Sequence, residues 1–137
     1  MKKIISLSAV VLSMFLFVGC GGGGGSVDSD AKSILSGQTF YYTDDYLDDE
    51  DGFYADSFTD KTLTEVEYDA DGEELYKESI DISYSGTNLI LIDGDDKETC
   101  SVTRADKSVK IYCPSNGFTQ ILWDSISDAK ANPQSDN

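Results

Sequence analysis

Cys100-Ser101-Val102-Thr103-Arg104-Ala105-Asp106-Lys107-Ser108-Val109-Lys110-Ile111-Tyr112-Cys113 is the stretch from which the fold can be read. Two runs of alternating character flank Asp106-Lys107, and a two-residue loop is the commonest way to join antiparallel strands. With that loop Ala105 faces Ser108, Val102 faces Ile111 and Cys100 faces Cys113. Alternate cross-strand pairs are non-hydrogen-bonded, and the two cysteines fall in that class, with Cα atoms about 4.5 Å apart. That separation is within disulfide range. Val102, Val109 and Ile111 share the cysteines' face, so the bridge is expected to sit against the core, stabilising the domain by about 3 kcal/mol in the chain-entropy model. The pair lacks the CxxC spacing of redox-active thiols, so its expected role is structural.

Outward from this hairpin, β-rich runs alternate with turn residues every 8 to 12 or so positions, the pattern of an antiparallel all-β domain. The expected strands are 37–43, 52–59, 62–69, 73–84, 87–92, 97–104, 108–114 and 118–124, with a short helix over 125–131 before Pro133. Ala70-Asp71-Gly72 reads as a three-residue loop in which Gly72 takes the left-handed position. On that register Glu65 faces Lys77 and Lys61 faces Asp81 on one side of the sheet, while Val66 faces Tyr76 and Thr62 faces Ile80 on the other. Ser85-Gly86 would turn the chain so that Ile82 meets Leu89 and Ile80 meets Leu91. Asn116-Gly117 is a further hairpin signal. A meander of about eight strands loses its exposed edges by closing, so an up-and-down barrel with a short C-terminal helix is expected, with an open meander or two-sheet sandwich as the alternative.

The opening Leu35-Ser36-Gly37-Gln38-Thr39-Phe40, the meander and the closing strand followed by a short helix resemble the layout of lipocalin-like small barrels of bacterial lipoproteins. The Gly-x-Trp opening of lipocalins is not met, because Thr39 stands at the Trp position. The resemblance therefore implies a fold and carries no ligand with it.

Before this domain come Lys2 and Lys3 and an uncharged run from Ile4 to Val18, too short to span a bilayer comfortably but suited to a signal peptide. Leu16-Phe17-Val18-Gly19-Cys20 resembles the lipobox of bacterial lipoproteins, with Phe17 where Leu is commoner. That resemblance implies cleavage before Cys20, acylation of its thiol and attachment to a membrane; more than one acyl chain gives stable anchoring. Gly21 rather than Asp follows the cysteine, which by the same family's habits favours the outer membrane. The expected organisation is a leader over 1–19, a Gly/Ser-rich flexible tether over 20–34, a β-domain over 35–131 and a tail over 132–137.

The chain carries 10 basic and 26 acidic side chains, a formal charge of −16, and loss of the leader removes two of the lysines. Such a surface repels nucleic acid and suits solubility, cations or basic partners. No histidine occurs, which removes imidazole-based catalysis and the commonest zinc ligand. With Cys20 assigned to lipid and Cys100 to Cys113, no free thiol remains, and no phosphate-binding glycine motif is present. A non-enzymatic, monomeric envelope protein binding a small apolar ligand or an envelope partner is the leading expectation. Of catalytic chemistries, carboxylate-pair hydrolysis or a Ser-Lys arrangement remains, and a carboxylate-dependent hydrolase is the catalytic alternative.

Asp44, Asp45, Asp48, Asp49 and Asp51, with Glu50 between them, form the densest acidic stretch. Oxygen ligands in a flexible loop suit Ca²⁺, so a calcium-responsive module is a second expectation beside that of a solvated loop. Glu67-x-Asp69-x-Asp71-Gly72 with Glu78 echoes an EF-hand loop, but its flanks read as strands and the hairpin explains the glycine. The aromatics Tyr41, Tyr42, Tyr46, Phe53, Tyr54, Tyr68, Tyr76, Tyr84, Tyr112 and Trp123 fall in strand alternation and read mainly as packing residues.

Overall fold

A computed structural model describes residues 30–47 and 49–134. The leader, Cys20 and the glycine run lie outside the described residues. Eight antiparallel strands follow one another around a closed barrel: β1 (Thr39–Tyr42), β2 (Phe53–Phe58), β3 (Thr62–Tyr68), β4 (Glu74–Ser85), β5 (Asn88–Asp93), β6 (Asp96–Arg104), β7 (Ser108–Cys113) and β8 (Phe118–Trp123). A five-residue helix, α1 (Ala31–Leu35), precedes them, and a six-residue helix, α2 (Ile126–Ala131), follows. This is the expected meander, closed by the pairing of Tyr41 with Trp123.

The deciding hairpin has the register its sequence implies. Val102 faces Ile111, Ser101 faces Tyr112, and the Ala105 amide donates to the Ser108 carbonyl. Cys100 and Cys113 are bridged at a Cα separation of 4.1 Å and are buried on the inner face with Val102, Val109 and Ile111.

Two other registers differ from expectation, by different amounts and with different effects. β4 runs on to Ser85 and turns at Gly86-Thr87, so Ile82 faces Leu91 and Tyr84 faces Leu89. Gly86 has φ of 60°, and its carbonyl accepts the Ala31 amide, so α1 holds this turn. A two-residue shift leaves the same side chains inside. At the β3–β4 hairpin the turn is as expected, with the Asp69 amide donating to Glu73 and Gly72 at φ 85°, but Leu75 is then an extra residue in β4. Beyond that bulge Glu67 faces Tyr76, Val66 faces Lys77, Glu65 faces Glu78, Leu63 faces Ile80 and Thr62 faces Asp81. The proposed Glu65–Lys77 and Lys61–Asp81 pairs are not formed. Because side chains alternate along a strand, this single-residue shift leaves Leu63, Glu65 and Glu67 as the buried set of β3, in place of Thr62 and Val66.

The third difference lies at the start of the domain. Residues 31–34, expected in the tether, belong to α1. Asp30 caps the helix by accepting the Lys32 amide, and Ala31 and Leu35 are buried against β4, β5 and β6. At this end the barrel is filled by Phe40, Phe58, Leu63, Ile82, Leu89, Leu91, Val102, Val109 and Leu122, with Phe40 and Phe58 meeting edge to face at 5.9 Å. α2 packs over β8, β1 and β2, where Lys130 lies 5.7 Å from the centre of the Phe53 ring.

Loss of the bridge should relax the β6–β7 hairpin without changing its register. The double variant Cys100→Ala, Cys113→Ala is expected to lose about 3 kcal/mol, measured by urea unfolding under non-reducing conditions, with the far-ultraviolet circular dichroism of a β-barrel retained.

Candidate binding site at the acidic end of the barrel

The inner face of the first four strands changes character in three rows from the end covered by α1 to the opposite end. Phe58, Leu63 and Ile80 make an apolar row. Next comes Phe40, Asp56, Glu65 and Glu78, three carboxyl groups directly opposite one another on adjacent strands. The outermost row is Tyr42, Tyr54, Glu67 and Tyr76. Glu98 and Gln120, both buried, face inward from β6 and β8, opposite Leu91 and Ile111. Like charges directly across a sheet destabilise it, so this arrangement runs against the stability of the fold.

Asp56 is the extreme member. It is wholly buried, its cross-strand neighbours are Phe40 and Glu65, and both of its carboxyl oxygens are without a hydrogen-bond partner. Burial, followed by the charges of Glu65 and Glu78, pushes its carboxyl well above the usual carboxylate range. Glu65 accepts the Tyr42 hydroxyl at 3.1 Å, and the Tyr42 and Tyr54 rings stack at 4.4 Å with an interplanar angle of 16°. Tyr76, more than half exposed, donates its hydroxyl to Glu78 at 2.7 Å, and this bond raises the phenol's own pKa. On the opposite wall Glu98 accepts the Ser115 hydroxyl. The lining thus runs from an exposed phenol through partly buried Glu78 to Glu65 and wholly buried Asp56.

The residues singled out from sequence lie elsewhere. Asp44 accepts the Tyr46 amide, and Asp49 accepts the amides of Asp51 and Ala70, which lower its pKa. These carboxylates shape the β1–β2 loop and tie it to the β3–β4 turn. Gly52 completes that tie, since a Cβ there would collide with the Tyr68 carbonyl oxygen. Asp45 and Asp51 are in the same loop, and Asp48 lies outside the described residues. Among the described residues no group of three or more acidic or cysteine side chains is gathered as metal ligands. Asp69 accepts the amides of Asp71 and Glu73 in a hairpin turn, as the strand reading of that motif requires. Of the aromatics, Tyr41, Phe53 and Tyr68 form an outer strip, whereas Tyr42 and Tyr54 line the interior.

The inward acids of β2 and β3 escaped sequence reasoning because Glu65 had a tempting partner in Lys77. A signal was present: Leu63 alternates with Glu65 and Glu67, and Phe58 with Asp56, so an apolar residue at the foot of each strand marks the inward set. No family model, curated protein or solved structure matches the chain.

The folded protein holds the Asp56 proton to a higher pH than the unfolded chain, whose carboxyl titrates near about 3.9. The stability present below that value is therefore lost as pH rises toward the folded pKa. Asp56→Asn removes this loss while keeping the side chain's shape. The variant should melt above the wild type at pH 7.5 by about 5 °C or more, and the two should converge at pH 4, as followed by circular dichroism.

Proposed function

We propose that the chain is a non-catalytic, lipid-anchored binding protein of the cell envelope, held to the outer membrane through Cys20, and that the acidic end of its barrel interior is its recognition surface. The observation that carries the binding role is the row Asp56, Glu65 and Glu78, a set of buried and half-buried acids kept inside a barrel whose other half is apolar. A fold gains nothing from a buried carboxyl without partners, so a ligand that satisfies it is the simplest reason for its presence. The apolar half is packed with its own side chains and covered by α1, which turns support from an apolar ligand toward a polar one. Anchoring is supported by the leader and by Gly19-Cys20 ahead of the glycine run.

Carboxylate-dependent hydrolysis is a second reading that the inward acids favour, since it requires two carboxyl groups in one cleft. Against it stands the complete burial of Asp56, directly opposite Glu65 on the neighbouring strand, which leaves room for a slender end group and not for a glycosidic bond flanked by two rings. Release of product from chromogenic glycosides, lost in Glu65→Gln, would decide in favour of this reading.

In cells fed an alkyne-tagged palmitate, the wild type should incorporate label and sediment with membranes, and Cys20→Ala should do neither. Native mass spectrometry of the detergent-extracted wild type should show a small-molecule adduct that the double variant Glu65→Gln, Glu67→Gln lacks. Labelling without any adduct would remove the binding role and leave the anchor.

A further inference from the structure

The chemistry of the lining narrows the class of ligand, and this step rests on the reading of the acidic end as a recognition surface. Asp56 has two unpartnered oxygens in a dry position, which call for hydrogen-bond donors rather than bulk alone. Neither cross-strand neighbour supplies one, being Phe40 on one side and Glu65 on the other. Glu65 is oriented by the Tyr42 hydroxyl, and the Tyr42–Tyr54 ring pair stands one row further from α1. Aromatic faces beside carboxylates attract organic cations. A single metal ion is less well served: among the described residues no three acids gather as ligands, and ring faces offer no oxygen lone pairs to fill its remaining positions. The acids are also strung out along one row across β2, β3 and β4, with neighbours about 5 Å apart. That spacing matches an elongated cation better than a point charge.

We propose that the acidic end of the barrel takes a small organic cation bearing N–H donors, an aliphatic ammonium or a guanidinium, with the Asp56 carboxylate as its buried counter-ion and Tyr42 and Tyr54 as the aromatic wall beside it. The cationic group enters past Tyr76 and Glu78 and ends against Asp56, giving both oxygens the donors they lack. A quaternary ammonium, having no N–H, leaves those oxygens as they are.

The test uses the full mature chain in detergent, titrated at constant ionic strength with 1,4-diaminobutane, agmatine, 1,4-butanediol, tetramethylammonium chloride and calcium chloride. Calorimetry and melting temperature are read for each. Saturable binding with a raised melting temperature is expected for the diamine or agmatine, and none for the diol or tetramethylammonium. Asp56→Asn should weaken binding at least about tenfold while melting no lower than the wild type at pH 7.5, and Asp106→Asn, on the exposed β6–β7 turn, should bind as the wild type does. Glu65→Gln should also weaken binding, which keeps the test valid if the Asp56 variant does not fold. Absence of saturable amine binding, undiminished binding by both variants, or calcium binding in preference to the amines would overturn the proposal. If amines fail while the small-molecule adduct persists in native mass spectrometry, the ligand class is wrong and the recognition surface stands; if both fail, both readings fall.

Discussion

Closing a sheet into a barrel obliges every second side chain to point inward, whatever its chemistry. In this chain that constraint determines both the core and the candidate site. Phe40, Phe58, Leu63 and Ile82 fill one end, and the same alternation carried two residues further along β2 and β3 brings Asp56 and Glu65 inside. The interior of the barrel is thus a single surface whose polarity changes along the strands. α1 covers the apolar end, and the change of inward side chains along the strands is what makes the two ends chemically distinct.

Legibility of the fold in the sequence varied with how local the evidence was. The β6–β7 hairpin and its disulfide follow from one tight turn and strict alternation, so Cys100 and Cys113 could be paired from fourteen residues of text. The β4–β5 turn lies one residue later than expected, at Gly86-Thr87, where glycine takes the first loop position at positive φ, and the inward set survived because the shift in pairing was even. Leu75 was decisive in the other direction. Its insertion into β4 is not announced by glycine or proline, and the apparent charge complementarity of Glu65 with Lys77 argued for the wrong register. The site was therefore hidden where local electrostatics and the actual pairing disagree, a place where functional strain is commonly found. α1 escaped for a simpler reason: five residues in a polar stretch are too few to show a period. Asp30 as a cap, followed by Ala31, Ile34 and Leu35 at helical spacing, was the available clue.

The C-terminal tail has a structural part as well. β1 and β8 meet at one pair, Tyr41 with Trp123, and Gln134 supplements this seam. Its side chain accepts the Ile121 amide and donates to the Ile121 carbonyl, and its own amide donates to Thr43. A glutamine side chain thereby stands in for a strand residue on the edge of β8, and the Thr43 hydroxyl reaches the Ala129 carbonyl of α2 to secure the same corner. The barrel's closure is completed by a residue outside every strand.

α1 also has a mechanical meaning. Any tension arriving along the chain from residues before Asp30 enters the barrel through this helix, whose link to the β4–β5 turn includes the hydrogen bond from the Ala31 amide to Gly86 and whose buried anchors are Ala31 and Leu35. A pull would act first on these five residues, which precede every strand in the chain and cover the apolar foot of the core. The helix is in that sense a fuse at the base of the barrel, placed at the end opposite the acidic row.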